Sequence, residues 1–287
     1  MTTDLRALLE THGRVDLAAI DARSTPGFEG DGKSDGKAAL AALGPELAEL
    51  QERLYAGGRA ESTDRRVLLL LQGMDTSGKG GTIGAVGGLV EPQGLVLSSF
   101  GKPTPEELAH DFLWRVRPRL PEAGQVGVFD RSHYEDVLIG RVRQLADPAE
   151  LERRYGAIVD FEQHFVESGG VLVKCLLHID ADVQADRLRA RLADPTKFWK
   201  YNPADLDERA LWSEYRVAYE VAVERTSTDV APWYVVPAGR KWYRNWAVAT
   251  LLLEALRSLD LQWPPADFDP AAELARLDGE NGDRAEE

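Results

Sequence analysis

The chain has 287 residues, 44% of them apolar, a formal net charge of −14 and one cysteine. That length fits one large domain or a domain with appendages. No apolar run approaches the roughly 18–20 residues of a membrane span, the N-terminus has no apolar signal core, the lone Cys175 excludes an internal disulfide, and the acidic balance excludes a general nucleic-acid binder. A cytoplasmic protein, off the membrane and off nucleic acid, is the expectation.

The charge is unevenly spread. Residues 1–62 carry eleven acids and seven bases, and residues 266–287 carry eight acids and two arginines, which leaves −4 for residues 63–265. A local basic groove on an acidic body is therefore allowed, because local fields decide a site.

Residues 1–37 have little helical period and a loop run at 24–32, so an irregular arm is expected. Leu40, Leu43, Leu47, Leu50 and Leu54 recur at spacings of three and four, which predicts an amphipathic helix over 38–55. Residues 67–71 are continuously apolar, the pattern of a strand buried on both faces. This strand feeds Gly73-Met74-Asp75-Thr76-Ser77-Gly78-Lys79, the G-x-x-x-x-G-K spacing of a phosphate-binding loop. Glycines let backbone N–H groups curl toward phosphate oxygens, the following helix presents its positive end, and Lys79 supplies a mobile point charge. Where such loops usually place Ser or Thr after the lysine, this chain has Gly80 and Gly81, with Thr82 two places late. The loop carries an acid instead. Asp75 is either a metal or acceptor group or a turn residue bonding its own backbone.

A helix with three glycines (84, 87 and 88) follows, then a second strand at 95–100. Thr104 is the N-cap of a helix with Pro105 at its first position, running through Arg117 and carrying Arg115. A third strand, 125–130, ends on Asp130 and is followed by Arg131. Ligands of nucleotide-binding α/β folds sit at the carboxyl ends of strands. There Asp130 suits a metal-organising carboxylate and Arg131 a bidentate phosphate contact; a plain surface Asp–Arg turn is the alternative. His133 reads as structural rather than as a general base.

A helix at 149–167, an apolar strand at 171–179 and a helix at 182–192 come next. Arg187 and Arg191 share a face of the last. Residues 194–203 mix bases and aromatics between two prolines, including Lys197 and Lys200. They suit a lid over a polyanion or a base, or an ordinary basic loop. A helix at 206–224, a fifth strand at 233–236 and a closing helix at 241–259 complete the pattern, and the last twenty residues are expected to be disordered. Strand–helix alternation predicts a doubly wound α/β fold with about five parallel strands and helices on both faces. The organisation expected is an arm and helix over 1–62, a phosphotransferase domain over 63–265 with its lid at about 194–230, and an acidic tail over 266–287.

GMDTSGKGGT at 73–82, VFDRSHYEDVL at 128–138, DPTKFWKYNP at 194–203 and APWYVVPAGRKWYRN at 231–245 together resemble the polyphosphate kinase 2 family, over about residues 15–268. The resemblance implies a thymidylate-kinase-like P-loop kinase fold and Mg²⁺, or Mn²⁺ in its place. It implies phosphoryl transfer between inorganic polyphosphate and nucleotides, and a homodimer or homotetramer. By that resemblance Asp75 and Lys79 form the loop's catalytic pair, Asp130 and Arg131 organise metal and phosphate, and Asp75 and Asp130 are the metal carboxylates. Gly73, Ser77, Gly78, Gly80, Gly81, Thr82, Arg187, Arg191, Lys197 and Lys200 are the expected phosphate and nucleotide contacts. The chain differs from the family pattern at Gly84-Ala85, where Arg-His is common, at Gly101, which displaces the following lysine by one, and at Gly239, where an acid is usual. An ATP-dependent nucleotide or small-molecule kinase on the same fold, and a weakly active nucleotide-binding interaction protein, are the alternative readings.

Overall fold

A computed structural model describes residues 4–283. The expected arm holds three short elements: α1 (Leu5–Leu9), capped by the Asp4 carboxylate, β1 (Glu10–Thr11) and a 3₁₀ helix over Leu17–Ala19. α2 (Lys33–Arg59) starts ahead of its leucine stripe and buries Leu47 and Leu54. β2 (Arg66–Gln72) passes through the loop into α3 (Lys79–Gly87). Then come β3 (Leu95–Ser99), α4 (Pro105–Leu108), β4 (Val126–Asp130), α5 (Glu135–Val142), α6 (Pro148–Glu167), β5 (Gly170–His178) and α7 (Ala181–Leu192). A 3₁₀ helix over Pro195–Lys200 leads into α8 (Ala204–Arg209) and α9 (Trp212–Thr226), followed by β6 (Trp233–Pro237), α10 (Lys241–Arg257) and α11 (Pro270–Asp283).

The sheet order is β1-β6-β5-β2-β4-β3. All pairs are parallel except β1 with β6, where Glu10 lies opposite Tyr234 and Thr11 opposite Trp233. The expected five parallel strands are present, and a short antiparallel edge strand is added. Two residues have no readable period, and β1 exists because its backbone completes the exposed edge of β6. At the centre of the sheet, β2 is buried from both sides. Val67, Leu69 and Leu71 face one cluster with α2 and α10, and Leu68 and Leu70 face the other with α6 and α9. Each such buried side chain stabilises by about 1.5–3 kcal/mol. The glycine-rich loop therefore grows from a strand anchored on both faces. Register puts Leu71 level with Asp130 and Cys175, so the loop and the acid at the end of β4 emerge at the same edge.

Three local expectations are corrected. The helix expected through Arg117 stops at Leu108. Thr104 and Glu107 close a capping box on α4, and the Asp111 carboxylate then accepts from the Leu113 N–H to open a new turn. The helix expected over 206–224 is broken into α8 and α9 at residues 210–211. The tail, expected to be disordered, carries α11. Asp269 caps it through the N–H groups of Ala271 and Ala272, Pro270 stands at its first position, and Glu273 pairs with Arg276 one turn on. Residues 284–287 of that tail lie outside the described residues.

α11 buries nothing as far as residue 278: every residue from 270 to 278 is exposed, including Leu274 and Leu277. A chain ending at Pro270 should therefore keep its melting temperature and its activity. Thermal unfolding and a turnover assay check this, and loss of either would show that the tail docks.

Candidate active site

The loop between β2 and α3 is built around close contacts. Gly78 has φ 108°, and a Cβ there would lie 1.7 Å from Nη1 of Arg244, so only glycine fits. The Arg244 guanidinium donates to the Ser77 carbonyl at 3.2 Å and to the Asn245 side chain, and it is 3% exposed. Lys79 is also buried, and its Nζ folds onto the Gly73 carbonyl at 2.7 Å. Burial, and then the charge of Arg131, hold the Lys79 pKa below the usual lysine range.

Facing the loop is the turn after β4. Arg131 adopts a left-handed backbone with φ 64°, its N–H donates to the Leu71 carbonyl, and its guanidinium meets Asp75 at 3.0 Å. Asp75, Thr76, Lys79, Asp130, Arg131 and, from the end of α7 and the segment after it, Arg191, Lys200, Asn202 and Asp205 line one polar pocket of about 380 Å³, with Ser99 at its side. That volume falls within the range of small-ligand sites, about 300–1,000 Å³. Arg191 donates to the Lys200 carbonyl at 2.9 Å and lies 3.5 Å from Asp205. Burial, and then the charge of Asp75, raise the Asp205 pKa, while Arg191 opposes the shift.

The expected site residues divide into three groups. Asp75, Lys79, Asp130, Arg131, Arg191 and Lys200 meet in the pocket. Gly73, Ser77, Gly78, Gly80 and Gly81 form the loop and the first turn behind it; the buried Ser77 hydroxyl has no partner among the described residues. Three residues are placed elsewhere. Thr82 is fully buried and bonds back to the Gly78 carbonyl within α3, so it points away from the pocket. Arg187 spends its guanidinium on four carbonyls, of Thr76, Ser77, Ala238 and Gly239, at 2.5–3.1 Å. It braces the loop against the end of β6 instead of reaching a ligand. Lys197 lies outside the pocket and pairs with Asp194 at 2.5 Å. The glycine at 239 also has a packing reason, because a Cβ there would lie 2.6 Å from the Ala22 carbonyl of the arm.

Sequence reasoning missed a second cationic group. Lys241 opens α10, and its pKa is lowered by burial and then by Arg187, Arg244, Lys197 and Lys33. Arg244 is pushed down to about 9 by burial and then by Arg187. Among the described residues no acid pairs with Lys33, Arg187, Lys241 or Arg244. The helices α2, α3 and α10, which open at Lys33, Lys79 and Lys241, have no side-chain cap on their first N–H groups. Arg244 is buried while Lys33 and Lys241 are exposed, and this positive charge beside helix N-termini that lack side-chain caps suits an anion. The Arg240-Lys241-Trp242-Tyr243-Arg244 run held the signal, since positions 241 and 244 share a helix face.

The match to the family described as Polyphosphate kinase 2 spans residues 31–263. An AMP/ADP-polyphosphate phosphotransferase of Meiothermus ruber is 45% identical over 256 residues, covering 89% of this chain and 94% of that one. An ADP-polyphosphate phosphotransferase of Rhodopseudomonas palustris is 39% identical over 243 residues, with 80% and 82% covered. The crystal structure of Polyphosphate Kinase 2 from Arthrobacter aurescens TC1 is 54% identical and superposes with a TM-score of 0.93, covering 96% of this chain and 97% of that one.

Proposed function

Because the chain belongs to the polyphosphate kinase 2 family, we propose that its two cationic groups divide one phosphoryl transfer between them. The chain is a kinase that moves phosphoryl groups between inorganic polyphosphate and a nucleotide. The observation that carries the division is the surplus of unpaired cations around Lys241 and Arg244, beside the phosphate loop but apart from the polar pocket. A nucleoside triphosphate donor would occupy the loop alone. A long polyanion needs cationic partners for its further phosphates, and the exposed Lys33 and Lys241 supply them, with the charge of Arg244 buried behind them.

Polyphosphate then runs across the open ends of α2 and α10 and brings one phosphate to the loop. The nucleotide phosphate lies in the pocket beside Asp130, Arg131 and Arg191. Lys79 and Arg131 reach the group in transit and stabilise charge spread over its equatorial oxygens. The acceptor is already a phosphate oxygen, so neither a covalent enzyme intermediate nor a general base is needed. His133 accordingly stays buried and out of the pocket.

The donor set fits Mg²⁺, or Mn²⁺ in its place. Among the described residues no group of three or more His, Cys, Asp or Glu side chains could enclose a metal. Two carboxylates, Asp75 and Asp130, line the pocket with room for phosphate oxygens and water. Mg²⁺ characteristically takes one or two carboxylates and completes its shell with phosphates and water. When bound it neutralises phosphate charge. Gly80, in the place of the usual hydroxyl, leaves the task of holding the ion to Asp75. Among the described residues no helix is long and apolar enough to cross a membrane. A cytoplasmic homodimer or homotetramer completes the reading, and light scattering tests the subunit number.

A coupled assay with polyphosphate as sole donor and AMP, ADP or GDP as acceptor tests the reaction. Transfer only from ATP would favour an ordinary nucleotide kinase on the same fold. The track has its own test. Displacing counterions makes polyanion binding fall with salt, by a log–log slope of about 0.7–0.9 per contact for nucleic acid. Replacing Lys33 and Lys241 together by alanine should flatten the slope for long polyphosphate by about 1.5 and raise its KM several-fold. The nucleotide KM should change little. Equal effects on both substrates would move the track elsewhere.

A further inference from the structure

Behind the Asp130–Arg131 turn lies a buried polar network that the transfer chemistry does not use. Lys174, on β5, has no exposed surface. Its Nζ donates to Glu162 Oε2 at 2.6 Å, to the Thr226 carbonyl at 2.8 Å and to the Tyr134 hydroxyl at 3.2 Å. Three donors meet three acceptors, so the ammonium is fully satisfied. Glu162, on α6, is within 2.8 Å of the Tyr134 hydroxyl and 3.3 Å of His133 Nε2. The same hydroxyl lies 2.8 Å from Thr226 Oγ1, which also accepts from Trp233 Nε1 at 3.0 Å.

Stability alone does not account for this network. Burying an ion pair costs so much desolvation that well-packed apolar residues of similar volume are often as stable or better by about 1–4 kcal/mol. The neighbours of Lys174 along the strand, Val173 and Cys175, are ordinary buried apolar side chains. The lysine does, however, join two pieces that no apolar side chain could join.

One piece is Tyr134, three positions after Arg131. A non-glycine residue in a sparsely populated backbone region costs about 1–3 kcal/mol and persists only where its surroundings fix it. Here Ser132, His133 and Tyr134 are all fully buried, and Ser132 Oγ accepts from the Tyr134 N–H at 3.2 Å. The other piece is Thr226, the last residue of α9, the helix that returns from the lid. Its carbonyl has no intrahelical partner, and a cation at that end also complements the helix dipole.

We propose that the Lys174–Glu162 pair is a positioning device: it ties the end of α9 to Tyr134 and thereby holds the Asp130–Arg131 turn in the left-handed geometry that transfer requires. The proposal rests on the polyphosphate-transfer reading, because it assigns Arg131 to the phosphate in transit. Lys174 and Glu162 touch no substrate and act only through that turn.

The test is the double variant Lys174→Met/Glu162→Leu, which removes both charges and keeps the apolar bulk. The melting temperature should equal or exceed that of the wild type. With polyphosphate and a nucleotide, kcat should fall at least about tenfold, since misplacing a reacting group by 1 Å can cost about 10²-fold. Both KM values should stay within about twofold. Wild-type kcat in the folded double variant would overturn the proposal, because the pair would then only pack. A raised KM with unchanged kcat would overturn it as well. Should the double variant not fold, Tyr134→Phe decides: it removes one hydroxyl and the link, and wild-type kcat in that folded variant counts against the device. Absence of transfer by the wild-type protein would instead remove the reading beneath it.

Discussion

Lys79→Met should lower kcat by about 10²–10³-fold, the cost of removing one preorganised donor from a developing oxyanion, while leaving the fold in place. The separation of the two effects follows from the environment of Lys79. Its ammonium is buried, and its one hydrogen bond is to the Gly73 carbonyl at 2.7 Å. Losing that bond costs about 1.5–3 kcal/mol, but the substitution also relieves the burial of a charge, which is itself expensive. Methionine keeps most of the apolar stem. These terms offset, and at about 2–4 °C per kcal/mol for chains of 150–250 residues the melting temperature should move by only a few degrees. In transfer nothing offsets the loss, because of the four cations that line the pocket (Lys79, Arg131, Arg191 and Lys200) Lys79 is one of the two assigned to the group in transit. Steady-state kinetics alongside thermal unfolding checks the prediction. Wild-type turnover in a folded Lys79→Met protein would remove Lys79 from the transfer step.

The parts of this site that could be read from the sequence are those whose signal is local. Residues 67–71 announce a two-sided buried strand by being continuously apolar, and the glycine spacing after them announces the loop. Asp130 is legible because an acid closes an apolar run. Side-chain destination is different. Arg187 and Arg191 look equivalent on α7, yet one is consumed by four carbonyls and the other opens into the pocket. Nothing within a few residues of either distinguishes them; the ends of β2 and β6 do, and those meet only in the folded chain. Arg244 was passed over for the same reason: that it is buried against Gly78, without an acid, depends on how α10 crosses the loop. β1 needs only an open edge on β6, with more than two hundred residues of chain between the partners. The overextended helix before Arg117 had a local signal, Asp111 as a second cap, which periodicity alone passed over.

Excess chelator should reduce transfer to background, Mg²⁺ or Mn²⁺ should restore it, and Asp75→Asn should raise the metal concentration needed for half-maximal activity by at least about tenfold. A loss of about 1.4 kcal/mol in metal binding is enough for that factor. The variant isolates the carboxylate's charge. Asp75 is 31% exposed and its partner Arg131 39% exposed, and ion pairs in that setting contribute about 0–1 kcal/mol to stability. Asparagine still accepts a hydrogen bond from Arg131, so the fold should be unaffected. Two outcomes for Asp75 were open from the sequence, a turn residue or a metal group. The structure bears on them directly: the Asp75 side chain bonds the guanidinium across the pocket, and the backbone turn is closed by the Ser77 N–H donating to the Met74 carbonyl. A turn-forming role would therefore predict a stability loss with unchanged metal dependence. The metal role predicts the reverse, a shifted metal titration at constant melting temperature. Asp130→Asn should behave in the same direction, since the two carboxylates line one pocket and would share one ion. If Asp75→Asn titrated with Mg²⁺ like the wild type, the metal would have to rest on Asp130 and the phosphates alone, and Asp75 would serve only to orient Arg131.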